Sequence, residues 1–132
     1  MSAASDYLED AVLDHVLGNT AYTQPSTIYL ALFTADTGLE SNSPSAEIST
    51  SGTAYARQSV SFGAASSGSA STDATVTFPA ATANWGTITH VAVMDASSAG
   101  NVLFYGAVTT SKTIESGDTF QVSSGNLTVS LA

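Results

Sequence analysis

The sequence predicts a mainly β fold, an antiparallel β-sandwich of jelly-roll-like form with one N-terminal α-helix. Turn signals recur about every ten residues, the spacing of a sandwich or barrel. Short runs rich in Val, Ile, Thr, Tyr and Phe lie between those turns, and a helical period appears once, at the start.

The helix is expected over residues 6–17, where Tyr7, Leu8, Ala11, Val12, Val16 and Leu17 recur at helical spacing and acids fill the other face. Asp6 reads as its N-cap, with Glu9 three residues on in a capping-box arrangement, and Gly18-Asn19 as its stop. After a turn at Gln24-Pro25, residues 27–34 are dense in β-branched and aromatic side chains. They are too apolar for a half-exposed edge, which predicts a central strand buried on both faces. Residues 36–53 lack periodicity and are rich in Ser, Thr, Gly and Pro, the signature of a long surface loop, and contact with a neighbouring subunit would explain its length.

Alternation returns at Ala54, with Tyr55, Arg57, Ser59 and Ser61 on one side and Ala56, Gln58, Val60 and Phe62 on the other. Residues 63–73 read as a Ser/Gly-rich connector and 75–79 as a short strand ended by Pro79. Residues 87–94 form a second central strand, and 95–101 a hairpin turn into a strand over 102–108. Residues 112–114, 119–122 and 127–131 complete the pattern as short strands. With 132 residues the chain is expected to be one domain spanning 1–132, and no fixed repeat suggests a solenoid.

Eleven Asp and Glu stand against two cations, Arg57 and Lys112, for a net charge of -9. Binding to a phosphate backbone or an anionic bilayer depends on clustered cations, so neither nucleic acid nor a membrane surface is an expected partner. Only 10% of residues are charged; hydroxyl side chains replace them, Ser and Thr making up roughly 30% of the chain. Without cysteine, disulfides and thiolate metal sites are impossible. The sequence has neither a window long and apolar enough to span a bilayer nor a basic start followed by an apolar run, so export by the general secretory route is not expected.

Chemistry-bearing residues are few and scattered, and the reading is that no residue serves as a catalytic, cofactor-binding or metal-binding site. His15 lies near the carbonyl end of the helix, where a cation is favoured. His90, on a regular strand, would share a face with Ile88, Ala92 and Met94 as a core or interface histidine without a catalytic partner. The serines sit in no GxSxG elbow, and phosphate-cradling glycine patterns are absent. Asp36 and Glu40 bracket Gly38 without calcium-loop spacing. Asn126-Leu127-Thr128 matches a glycosylation acceptor but enters a predicted strand. Trp85 and Tyr105 could stack on a sugar or pack in the core, and Asp95 and Asp118 have no evident reason to pair as glycosidase carboxylates.

Several segments carry a resemblance that composition does not. The stretch Ser5-Asp6-Tyr7-Leu8-Glu9 with His15-Val16-Leu17 and Asn19-Thr20-Ala21-Tyr22, the run Ile28 to Thr34, and Tyr55-Ala56-Arg57-Gln58 form one part. Phe62-Gly63-Ala64-Ala65, Val76-Thr77-Phe78-Pro79, Ala83 to His90 and Gly106-Ala107-Val108 form the other. Over nearly its whole length the chain resembles a family of small virion proteins of tailed bacteriophages and prophages. The resemblance implies a β-sandwich module, made in the host cytoplasm and assembled into the virion, that acts through protein contacts as a homo-oligomer. Within that frame the leading expectation is a capsid decoration, or cement, protein. It would clamp the major capsid protein on the outer head surface, as a trimer, with the helix and the 36–53 loop as reaching elements. The alternative is a tail-fibre or adhesin module binding host surface glycans.

Overall fold

The computed structural model describes residues 3–131. Its centre is a five-stranded antiparallel sheet of β1 (Ala3–Ala4), β2 (Ile28–Phe33), β3 (Gln58–Val60), β6 (Gly86–Met94) and β7 (Val102–Ile114), in the order β1-β7-β6-β2-β3. Two ribbons face it, β4 (Ser69–Ser71) paired with β9 (Thr128–Ser130) and β5 (Val76–Thr77) paired with β8 (Gln121–Val122). The one helix, α1 (Asp6–Val16), follows β1 at the sheet's edge.

Strand β2 is central and buried on both faces, as its composition predicts. Leu30 and Leu32 point into the larger core, with Val91 and Val93 of β6 and with Val76, Phe78 and Phe120 from the ribbon side. Ala31 and Phe33 point the other way, into a smaller core with Ala92, Met94 and Val102, which Leu39 covers from the loop. The 36–53 segment runs over the surface but is fastened to the sheet. Leu39 and Ile48 are buried, the Thr34 amide donates to Ala46 (3.0 Å) and the Ile48 amide to Leu32 (3.2 Å). The few apolar side chains in a hydroxyl-rich segment decide its path, because the second face of β2 has to be covered.

The helix starts one residue earlier than its acids suggest. Ser5, not Asp6, is the N-cap: its Oγ accepts from the Leu8 amide and donates to the Val102 carbonyl, while the Asp6 amide donates to the Glu40 carbonyl (2.8 Å). A hydroxyl can do both because it donates and accepts, whereas a carboxylate only accepts. The stop is as expected. Gly18, at φ +81°, follows the last turn, its amide donating to His15 and that of Asn19 to Asp14, a Schellman closure. Only the first half of the helix packs, through Leu8 with Tyr7 and Val12; Val16 and Leu17, expected on the buried face, project into solvent.

Two irregularities separate the strands from their predicted pattern. The expected strands at 102–108 and 112–114 are one continuous β7, which bulges where His90 pairs with Ala107 and Ile88 with Lys112. Residues 108–111 there oppose Thr89 alone. The same bulge shifts the phase of β6, so that Ile88 joins Val91 and Val93 in the larger core and shares no face with His90, Ala92 and Met94. Tyr55 lies in the irregular segment ahead of β3, outside the strand's alternation, so both Tyr55 and Val60 enter the larger core. Strands β1 and β4 had no signal: both are very short and built from Ala and Ser.

The 36–53 loop turns tightly at Gly38, where a Cβ would lie 1.9 Å from the Ser43 carbonyl oxygen and φ is +77°. Gly38→Ala is expected to destabilise the protein by at least about 2 kcal/mol in chemical denaturation. Gly117→Ala, at φ +94° with nothing within 4 Å of the added carbon, should cost about 1 kcal/mol. Equal losses for the two variants would show that the closeness of Gly38 to Ser43 does not constrain the loop.

Candidate functional site

The most connected polar constellation is built on Tyr55 and Arg57, which the local spacing of two places on the same side of the chain. The Glu47 carboxylate lies between them. Arg57 grips it with both arms of its guanidinium, Nε to Oε2 and Nη2 to Oε1, each at 2.8 Å, and Tyr55 donates its hydroxyl to Oε2 at 2.7 Å. The remaining Arg57 nitrogen donates to the Ala96 (2.9 Å) and Ala99 (2.8 Å) carbonyls of the β6–β7 hairpin. The Tyr55 oxygen in turn accepts the Leu32 amide of β2 (3.0 Å). The Arg57 side chain is only 6% exposed and Glu47 25%.

Each side-chain nitrogen and oxygen of Tyr55, Arg57 and Glu47 has a hydrogen-bond partner inside the protein. Burial, opposed by the Leu32 amide and reinforced by the Glu47 charge, pushes the Tyr55 phenol well above the ordinary tyrosine range. The hydrogen bond to Glu47 pushes the Arg57 guanidinium up as well. Beside the pair, Tyr55 stacks on Phe78 at 6.1 Å and meets Trp85 edge-on at 5.4 Å; the Trp85 indole donates to the Thr53 carbonyl (2.8 Å). Trp85 is thus buried and holds the loop end, which removes it as a sugar platform. Tyr105 packs on the smaller core and donates to Glu40 (3.0 Å). Its phenol is pushed up to about 12 by burial, by that hydrogen bond and by neighbouring acids.

The other chemistry-bearing residues are dispersed. His15 Nδ1 accepts the Tyr22 amide (3.1 Å) and so fastens the chain after the helix, while half-buried His90 is hydrogen-bonded to Thr89 (2.9 Å). Asp95 closes the hairpin by accepting from the Asn101 amide (2.7 Å) and side chain (2.9 Å), and Asp118 accepts the Glu115 amide (2.9 Å) in a turn. The first lies beyond the Met94 end of β6 and the second beyond Ile114, which pairs with Gly86 at the other end. Eight residues of strand separate those ends, roughly 27 Å, too far for two carboxylates to flank one bond. No group of three or more His, Asp or Glu side chains among the described residues could hold a metal ion.

Sequence reasoning missed two anchoring residues. Glu47 gave no signal because its partners, Tyr55 and Arg57, lie eight and ten residues away in sequence. Asn42, at φ +59°, accepts the Val102 amide (2.7 Å) and donates to Asn101 (2.9 Å), fixing the loop to the hairpin; an asparagine in a polar loop was its only trace. What the surface offers for contact is different in kind. The end of α1 exposes Leu13 (56%), Val16 (70%) and Leu17 (77%), and an open cleft of about 730 Å³ lies between Leu8 of the helix, β3 and the segment before β2.

Removing one partner of a buried ion pair strands the other, at a cost of about 3–5 kcal/mol. Because Glu47 is a quarter exposed, Arg57→Ala is expected at the low end, about 3 kcal/mol in chemical denaturation. A loss below 1 kcal/mol would mean that solvent screens the pair. For Tyr55 the folded state holds the proton more tightly than the unfolded chain, whose phenols ionise near 10. The stability this contributes is complete below pH 10 and falls as pH rises above it. Tyr55→Phe should be less stable by about 1–3 kcal/mol, since the Leu32 amide loses its acceptor, and should show a shallower alkaline decline. Denaturation midpoints from pH 8 to 12 test both signs.

A family model described as Podophage GP4 fiber I protein gp80 matches residues 3–130 of the chain. No curated protein matches it.

Proposed function

The chain belongs to the family described as Podophage GP4 fiber I protein gp80, and from that premise we propose that it is a non-enzymatic structural module of a phage tail fibre. The family match carries this reading, since it runs across the helix and every strand from β1 to β9. The tail-fibre alternative thereby has better support than capsid decoration.

Of the two elements expected to reach a capsid, the helix and the 36–53 loop, the loop is fastened to the sheet by Leu39, Ile48, Asn42 and Glu47. The last turn of α1 is the element that reaches outward, with Leu13, Val16 and Leu17 beyond the packed half of the helix. Three adjacent exposed apolar side chains on an otherwise hydroxyl-rich surface suit burial against a second copy of the chain. Repetition along a fibre would let such small contacts act together. No step of the reading needs a cofactor, nucleic acid or a membrane.

Two measurements test it. Antibody or tag labelling of intact virions should mark the tail; labelling confined to the head would return the capsid reading to first place. Sedimentation of the purified protein should show a homo-oligomer that Val16→Asp with Leu17→Asp dissociates, leaving the folded monomer's denaturation curve nearly unchanged because both positions are exposed. A wild type that stays monomeric at high concentration would contradict the proposed self-contact.

A further inference from the structure

We propose that the exposed end of α1 in one copy of the chain seats in an apolar groove between β7 and β9 of another, an inference that rests on the self-contact proposed for α1 and names the surface that receives it. Among the described residues the large apolar side chains left exposed are Leu13, Val16 and Leu17 at the end of α1 and Leu131 just beyond β9. The first three, spaced i, i+3 and i+4, form one ridge on the helix. Leu131 continues the alternation of half-buried Leu127 and Val129, both of which line the groove.

The groove exists because the sandwich is open along one side. Strand β1 pairs with β7 only at Phe104 and Tyr105, and among the described residues no strand pairs with that edge of β7 from there to Ile114. Across the gap Phe104 and Val108 of β7 face Val122, Leu127 and Val129 of the ribbon layer, all five half-buried. The space they leave is about 140 Å³. An apolar cavity of about that size takes up a benzene ring, so a leucine side chain fits.

Charge decides which surface the ridge meets. Glu9 and Asp10 lie one turn before Leu13 on the same side of α1, with half-buried Asp14 next to it. Two ridges facing each other would set these acids against their own copies, in a chain of net charge -9. No acid lines the groove, and beside it stands Lys112, the only cation besides Arg57, which Glu47 holds. Lys112 pairs with Ile88, whose side chain lies in the larger core, so the exposed lysine leaves the sheet on the groove's face. Thr109 lines the groove three residues before it, so at most about 10 Å of strand separates the two. Asp10 precedes Leu17 by seven residues, about 10 Å of helix. With Leu17 in the groove, Asp10 comes within reach of Lys112.

Sedimentation velocity on the full chain and its variants tests the pairing. Val16→Asp with Leu17→Asp removes the ridge, and Val108→Trp fills the groove. Each alone is expected to run as a monomer, whereas an equimolar mixture should form a one-to-one complex, because one protein keeps the groove and the other the ridge. Lys112→Glu should weaken self-association about fivefold, and adding Asp10→Lys to it should restore wild-type strength. Both of these positions are exposed, so that arm of the test holds whether or not Val108→Trp folds. Association at wild-type strength in Lys112→Glu or in a folded Val108→Trp, or a mixture of folded variants that stays monomeric, would overturn the inference. If Val16→Asp with Leu17→Asp dissociates the oligomer in that event, the self-contact stands and two ridges meet instead. A wild type that is monomeric at high concentration would remove the self-contact and the groove with it, while a tail label on the virion would still leave the fibre reading in place.

Discussion

The bidentate contact between Arg57 and Glu47 is the constraint on which the rest of the structure depends. It draws together three parts of the chain that share no strand pairing with one another: the 36–53 loop, the segment entering β3, and the β6–β7 hairpin through the Ala96 and Ala99 carbonyls. Tyr55 extends it to the backbone of β2 and to the aromatic cluster of Phe78 and Trp85. A guanidinium suits this position because its planar fork can hold a carboxylate and still present a further nitrogen to two carbonyls; an ammonium could not satisfy the same geometry. The side chain of one of only two cations in the chain is buried here, while most of the eleven acids stay exposed.

With the loop fastened, the second face of the sheet is closed by Leu39 and the smaller core becomes possible. The same closure brings Asn42 to the start of β7 and Glu40 to the start of α1, so the helix, the loop and the hairpin meet at one corner. Ser5 completes the corner from the helix side by accepting from its own first turn and donating to Val102. The outcome is a scaffold whose buried side-chain polar atoms all have partners among the described residues. Such a scaffold suits recognition by preorganised surface.

The fold was legible where burial dictates composition. The run from Ile28 to Phe33 and that from Gly86 to Met94 could be placed centrally because both faces are apolar, and the Gly18 stop could be read because only a left-handed residue closes the helix that way. Illegible were features that depend on partners distant in sequence. Glu47 looks like any loop acid until Arg57 is beside it, and Ser5 outranks Asp6 as cap only because a carbonyl of β7 lies within reach. The bulge opposite Thr89 carries no glycine or proline to announce it, and it was enough to move Ile88 to the other face from His90. The site itself left almost no trace, since a cleft lined by ordinary Leu, Val, Ser and Thr is defined by how segments fail to fill space, not by a motif.

The 36–53 loop belongs to the rigid scaffold and is not a mobile arm. Native-state hydrogen exchange tests it most directly, because the amides of Thr34 and Ile48 donate across the seam between loop and sheet. Both are expected to exchange only through global unfolding, with the same free energy as the amides of β2, and Arg57→Ala to lower the protection of Ile48 at least as much as that of β2. Exchange of Thr34 and Ile48 through a low-energy local opening, while β2 stays protected, would contradict it.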